Sequence, residues 1–103
     1  MVITTLPDNA QARTLARQIV EARLAACVQV GASVESFYRW QGTVEQVYET
    51  PLLIKTVSAR YAALESFLQQ HHPYALPEII ALNEVHGSSA YLDWVAQETQ
   101  LNR

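Results

Sequence analysis

Val34-Glu35-Ser36-Phe37-Tyr38-Arg39-Trp40-Gln41-Gly42-Thr43-Val44-Glu45-Gln46-Val47-Tyr48-Glu49-Thr50-Pro51-Leu52-Leu53-Ile54-Lys55-Thr56-Val57 is the stretch on which the fold turns. It is rich in β-branched and aromatic residues, with a tight-turn dipeptide at Gln41-Gly42, and reads as a long hairpin. Pro51 lacks a ladder donor, so it is allowed only at an edge or a bulge. The unbroken Leu52-Leu53-Ile54 run is what a strand covered on both sides carries. Arms of more than about ten residues exceed the usual strand of roughly 5–6. They would outrun the helices available to cover them, yet they carry Phe37, Tyr38, Trp40, Val44, Val47 and Tyr48. A ribbon so apolar is an aggregation hazard unless it is paired, and self-association is the simplest pairing. The number of subunits does not follow from this argument.

On the N-terminal side, Val2–Leu6 is short, β-branched and ended by Pro7, which reads as a strand. Asp8 can cap a helix whose apolar residues Ala12, Leu15, Ala16, Ile19, Val20 and Leu24 recur in steps of three and four. Cys27, Val28 and Val30 begin the next strand, with Gly31 as a bend or bulge. On the C-terminal side, Ser58 is a candidate cap for a helix with Tyr61, Leu64, Phe67, Leu68 and His71 on one stripe, stopped by Pro73. The proline pushes His72 toward extended geometry. Glu78–Val85 reads as a last main strand, Gly87 as a break, and Ser88 as the cap of a final helix with Tyr91, Leu92, Val95 and Ala96 inward. The order β-α-β-β-α-β-α predicts an α+β ferredoxin-like split β-α-β sandwich with an extended hairpin and an extra C-terminal helix.

Composition excludes several classes. The 103 residues leave room for one domain, 1–103, and 50% hydrophobic with 17% charged residues suits an ordered core. Seven Lys plus Arg against ten Asp plus Glu leaves no basic surplus for phosphates, so nucleic acid is not an expected partner. No apolar run approaches the ~20 residues of a membrane span, and Met1–Asp8 has no basic leader. The single cysteine, Cys27, allows no intramolecular disulfide and fits a reducing compartment. The expected location is the cytoplasm. With three glycines there is no phosphate-cradling loop; nor is there a Gly-x-Ser-x-Gly elbow or a His-Glu-x-x-His pair. Neither an enzyme nor an organic cofactor is expected.

Five motifs then occur in order: Ala22-Arg23-Leu24-Ala25-Ala26-Cys27-Val28, Phe37-Tyr38-Arg39-Trp40-Gln41-Gly42, Glu49 followed by Leu53-Ile54-Lys55-Thr56, His72-Pro73-Tyr74-Ala75-Leu76-Pro77-Glu78-Ile79-Ile80, and Tyr91-Leu92-Asp93-Trp94. Together, from about Thr4 to Trp94, the chain resembles the CutA divalent-cation-tolerance family. The resemblance implies a cytoplasmic homotrimer joined through the long hairpin, kinship of architecture with PII signalling proteins, and a role in tolerance of copper and other divalent cations. It also implies copper ligands: a cysteine ending the first strand and two adjacent histidines before the Pro-Tyr motif. The histidines map onto His71 and His72. Thr4 or its neighbour stands where the cysteine would, and a hydroxyl is a poor replacement for a soft thiolate. Adjacent helical residues point about 100° apart, so His71 and His72 would converge only if Pro73 breaks the helix there. The bland alternative is that they complement the negative helix end, worth roughly 0.3–1 kcal/mol when charged. His86 is a further candidate, and Cys27 reads as a small buried hydrophobe.

Trp40, Glu49, Lys55, Tyr74 and Glu78 also fall within these motifs. They are expected to line a ligand-binding or inter-subunit cleft. Lys55 follows three apolar residues and needs a charge partner, which Glu49 or Glu78 could supply. An interfacial salt bridge is one outcome. The other is a site where Lys55 holds an anionic group beside Tyr74 or Trp40. The alternative function is therefore a PII-like signalling or adaptor trimer that binds a small anion or a partner protein.

Overall fold

The computed structural model describes residues 1–83 and 86–101. The chain runs β1 (Val2–Leu6), α1 (Asn9–Glu21), β2 (Cys27–Val30), β3 (Val34–Trp40), β4 (Thr43–Lys55), α2 (Tyr61–His71), β5 (Ile80–Ala81) and α3 (Ser89–Glu98), with a 3₁₀ turn at Ser58–Arg60. The sheet is antiparallel with order β2-β4-β1-β5, and β3 pairs with β4 beyond the end of β2. This is the expected ferredoxin-like order, with β2 and β3 as two halves of one interrupted edge strand.

Strand alternation decides which side is packed. Val2, Thr4, Leu6, Leu52 and Ile54 share the helix-facing side, and α1 and α2 close it with Ala12, Leu15, Ala16, Ile19, Leu64 and Leu68. Asp8 caps α1 as expected, its carboxylate accepting from the Gln11 N–H at 2.8 Å. The other end of α1 has a Schellman pattern. Leu24 N–H donates to the Ile19 carbonyl and Arg23 N–H to that of Val20, which leaves Arg23 in the left-handed region at φ 59°. Its guanidinium donates to the Glu98 carbonyl at 3.3 Å, tying α3 to this corner.

The hairpin is present, and Pro51 sits at its bulge. Three residues, Gly31 to Ser33, face two, Thr50 and Pro51, between the pairs Val30↔Leu52 and Val34↔Glu49. The Pro51 carbonyl accepts from Gly31 at 2.9 Å. In an extended strand the nitrogen faces the same side as the carbonyl, so the donor Pro51 lacks would have pointed into this break. A Cβ on Gly31 would lie 2.9 Å from Pro51 Cγ. Gln41 and Gly42, at φ 51° and 84°, form the two-residue turn that matches strand twist. Beyond the bulge no helix covers the ribbon. Phe37, Val44 and Tyr48 are 64%, 60% and 67% exposed on one face, and Val34, Tyr38 and Trp40 are exposed on the other.

Four expectations are corrected. The last strand is Ile80–Ala81, extended by Leu82 N–H to the Met1 carbonyl, where Glu78–Val85 was expected; Glu84 and Val85 lie outside the described residues. Ser58 opens a 3₁₀ turn and caps nothing with its side chain. His71 is exposed on α2, because the buried stripe there is Leu64 and Leu68. On α3 only Val95 of the expected inward set is buried; Tyr91, Leu92 and Ala96 are exposed. Leu53 is half-buried on the sheet face away from the helices, so its apolar run has a second side with no cover from this chain.

Candidate functional site

The loop after α2 and the start of the ribbon meet at one cleft. The last α2 bond, His72 N–H to the Leu68 carbonyl at 2.8 Å, ends the helix, and His72 turns to φ −80°, ψ 137° ahead of Pro73. Its ring is buried. Nδ1 accepts the Tyr74 backbone N–H at 3.2 Å, so Nε2 carries the proton and donates to the Thr5 carbonyl at 2.8 Å. Burial pushes the His72 pKa down and favours this neutral form, against opposing contributions from the Thr5 carbonyl and the Glu49 charge. Both ring nitrogens are thus spent on backbone groups, and the imidazole pins the loop to β1.

Held this way, Tyr74 reaches across to β4. Its hydroxyl donates to Glu49 Oε2 at 2.9 Å, and the Thr5 hydroxyl donates to the same oxygen at 3.2 Å. Glu49 is only 8% exposed. Burial, then the bond to Glu49 and its charge, raise the Tyr74 pKa well above the ordinary phenol value, so the phenol stays a donor. Around this network lies a cleft of about 540 Å³, walled by Tyr38, Trp40 and Leu76 and also lined by Glu78.

The structure therefore brings Trp40, Glu49, Tyr74 and Glu78 together. It does not bring Lys55 to them. Lys55 lies six residues further along β4, roughly 20 Å away at strand rise, beside Met1, Tyr61 and Tyr91. It makes no ion pair among the described residues. His71 and His72 do not converge either. The His71 ring stacks on Phe67 with centroids 4.1 Å apart, and its Nδ1 bonds the Phe67 carbonyl at 2.9 Å. Among the described residues, no group of three or more His, Cys, Asp or Glu is placed to hold a metal ion. Thr4 is wholly buried on the helix side with an unpartnered hydroxyl, Cys27 is half-buried at the start of β2, and His86 is exposed. Thr5 and Tyr38 are site residues that motif reading missed. Strand parity could have found Thr5, since it faces away from Val2, Thr4 and Leu6 and toward Glu49.

A split β-α-β sheet with helices on one face and an overlong ribbon defines a ferredoxin-like domain whose cleft opens beside the ribbon. The chain belongs to the CutA1 divalent ion tolerance protein family, which matches it over residues 1–98. It is 42% identical over 99 residues to the divalent-cation tolerance protein CutA of Thermus thermophilus, covering 96% of each chain. The solved structure of the Thermus thermophilus protein superposes with a TM-score of 0.93 over 96% of each chain. A structure described as the periplasmic divalent cation tolerance protein CutA from Archaeoglobus fulgidus is 29% identical, with a TM-score of 0.92 over 96% of each chain. Among the described residues, no helix is long and apolar enough to cross a membrane.

Proposed function

We propose that this protein serves divalent-cation tolerance as a non-catalytic homotrimer assembled through its β3–β4 ribbon. The observation that carries the reading is the uncovered apolar surface: Phe37, Val44 and Tyr48 on one ribbon face, Val34 on the other, and Leu53 on the open sheet face. Assembly on this ribbon would give that surface its missing cover. Light scattering in dilute buffer tests it, with three times the single-chain mass expected; a single-chain mass would end the proposal. The site of action is the cytoplasm on the strength of the lone Cys27, with cell fractionation as the test against the periplasmic location given for the archaeal relative.

Direct binding of copper or another divalent cation belongs to the same reading, and its contact is His71. The Nδ1–H of His71 donates to the Phe67 carbonyl, which orients the ring and leaves the Nε2 lone pair outward, the usual posture of a ligating imidazole. His72 supports that posture by ending the helix and has no free nitrogen of its own. One imidazole makes a weak site. Titration with Cu(II) should give binding no tighter than micromolar that is lost in His71→Ala and kept in His72→Gln; the reverse pattern would reject the assignment.

The second reading, a PII-like signalling or adaptor trimer, is favoured by the cleft itself. A volume of about 540 Å³ with apolar walls and few polar groups is typical of small-molecule sites.

A further inference from the structure

We propose that the cleft between β1, the ribbon and the Tyr74 loop is a binding site for a small organic cation, with a primary ammonium or guanidinium group seated on Glu49 and its carbon skeleton against Tyr38 and Trp40. The inference deepens the reading of the cleft as a ligand site and is independent of the His71 contact. Three observations fix the class of ligand. First, both charged residues lining the cleft, Glu49 and Glu78, are acidic, and no Lys, Arg or His lines it. An anion would find no counter-charge there from this chain, and the lysine that suggested an anion is a long way up β4.

Second, Glu49 is held with one oxygen committed and one open. Thr5 and Tyr74 both donate to Oε2, while Oε1 takes no hydrogen bond among the described residues and is still reached by solvent. A cleft-lining residue more than nine-tenths buried thereby keeps an open acceptor, and it calls for an N–H donor. A quaternary ammonium has none to offer.

Third, the donor set is wrong for a metal ion and right for an organic one. A hard divalent cation wants about six or more oxygen ligands, and the cleft offers two carboxylates and a few hydroxyls. Tyr38 and Trp40, on the Glu49 face of the ribbon, instead give the aromatic faces over which alkylammonium and guanidinium groups are attracted. Tyr74, whose hydroxyl is spent on Glu49, acts as a positioning residue that keeps the carboxylate aimed.

Phenethylamine and agmatine are the probes, with 3-phenylpropionate as the control of similar skeleton and opposite charge. Calorimetry on the full-length protein should show saturable binding of both amines and none of the acid. Glu49→Gln should weaken the amines at least tenfold and Trp40→Leu several-fold. Should Glu49→Gln fail to fold, Glu78→Gln at the exposed edge should weaken them about two- to fivefold. NMR shifts on titration should then appear at Tyr38, Trp40 and Tyr74. Light scattering on each sample reads the mass alongside, so lost assembly is not mistaken for lost binding. The proposal is overturned if the acid binds as well as the amines, if neither amine binds a correctly assembled sample, or if neither glutamate variant changes affinity.

Discussion

Thr4 offers a clean test of the packing, because its hydroxyl is orphaned. The residue is 0% exposed, on the helix side of β1 between Val2 and Leu6 and opposite Leu52, and its Oγ1 has no hydrogen-bond partner among the described residues. An unsatisfied buried hydroxyl costs about 1–3 kcal/mol, and a methyl in its place buries further apolar area worth up to about 0.8 kcal/mol. Valine keeps the β-branched shape and the strand propensity. Thr4→Val should therefore stabilise the fold by about 1–2 kcal/mol, which for a domain of this size raises the midpoint by roughly 4–15 °C. The measurements are thermal unfolding for the midpoint and guanidinium unfolding for the free energy, both at one fixed protomer concentration, because assembly makes each concentration-dependent. Thr4→Ser is the matched control. It keeps the hydroxyl, loses the methyl, and should destabilise. A Thr4→Val protein less stable than wild type by more than about 0.5 kcal/mol, beyond the ordinary scatter for a neutral swap, would refute the reasoning and mean that Oγ1 has a structural partner. Thr4→Cys extends the test to metal. A thiol at this position enters the closed core and should leave Cu(I) affinity unchanged, since position 4 is sealed from solvent while His71 is exposed on α2.

Tyr74 should resist ionisation well above the ordinary phenol range. Its raised pKa means that protonated Tyr74 adds stability that is fully present below the unfolded phenol value of about 10 and is lost as pH rises above it. Ultraviolet titration should show a phenol that resists ionisation until the fold is lost, and Tyr74→Phe should abolish that step; a wild-type titration without it would contradict the Glu49 bond. Gly31→Ala should cost about 1–3 kcal/mol, because its Cβ would press on the Pro51 ring, which belongs to the chain and cannot swing aside. An unchanged unfolding midpoint would show that the bulge is looser than this contact implies. On the ribbon, Phe37 and Tyr48 are diagonal neighbours on one face, so Phe37→Glu should lower the mass seen by light scattering while far-ultraviolet dichroism keeps its β signal. Full-size particles in that variant would place the contact surface elsewhere.

What the sequence made legible follows from which forces are local. Asp8 and Ser88 cap their helices as read, since a side-chain oxygen three residues ahead of a free amide is enough to specify the start. The bulge was legible too, because Pro51 and Gly31 each announce a backbone constraint. The short β5 and the exposed face of α3 were not. Tyr91, Leu92 and Leu53 carry the apolarity of buried residues, and sequence pattern records that a residue is destined for burial without recording what buries it. The same blindness governed the site. Trp40, Glu49, Tyr74 and Glu78 were named from motifs and meet in space, but Lys55 was grouped with them on charge alone, and the strand carries it roughly 20 Å off. His72 was read as a ligand because histidines are, whereas its partners are two backbone groups with no sequence signature. Those two bonds are what aim Tyr74 at Glu49. The histidine beside the cleft thus acts on the loop it fastens, and the carboxylate that this loop helps hold is the group with an unfilled bond.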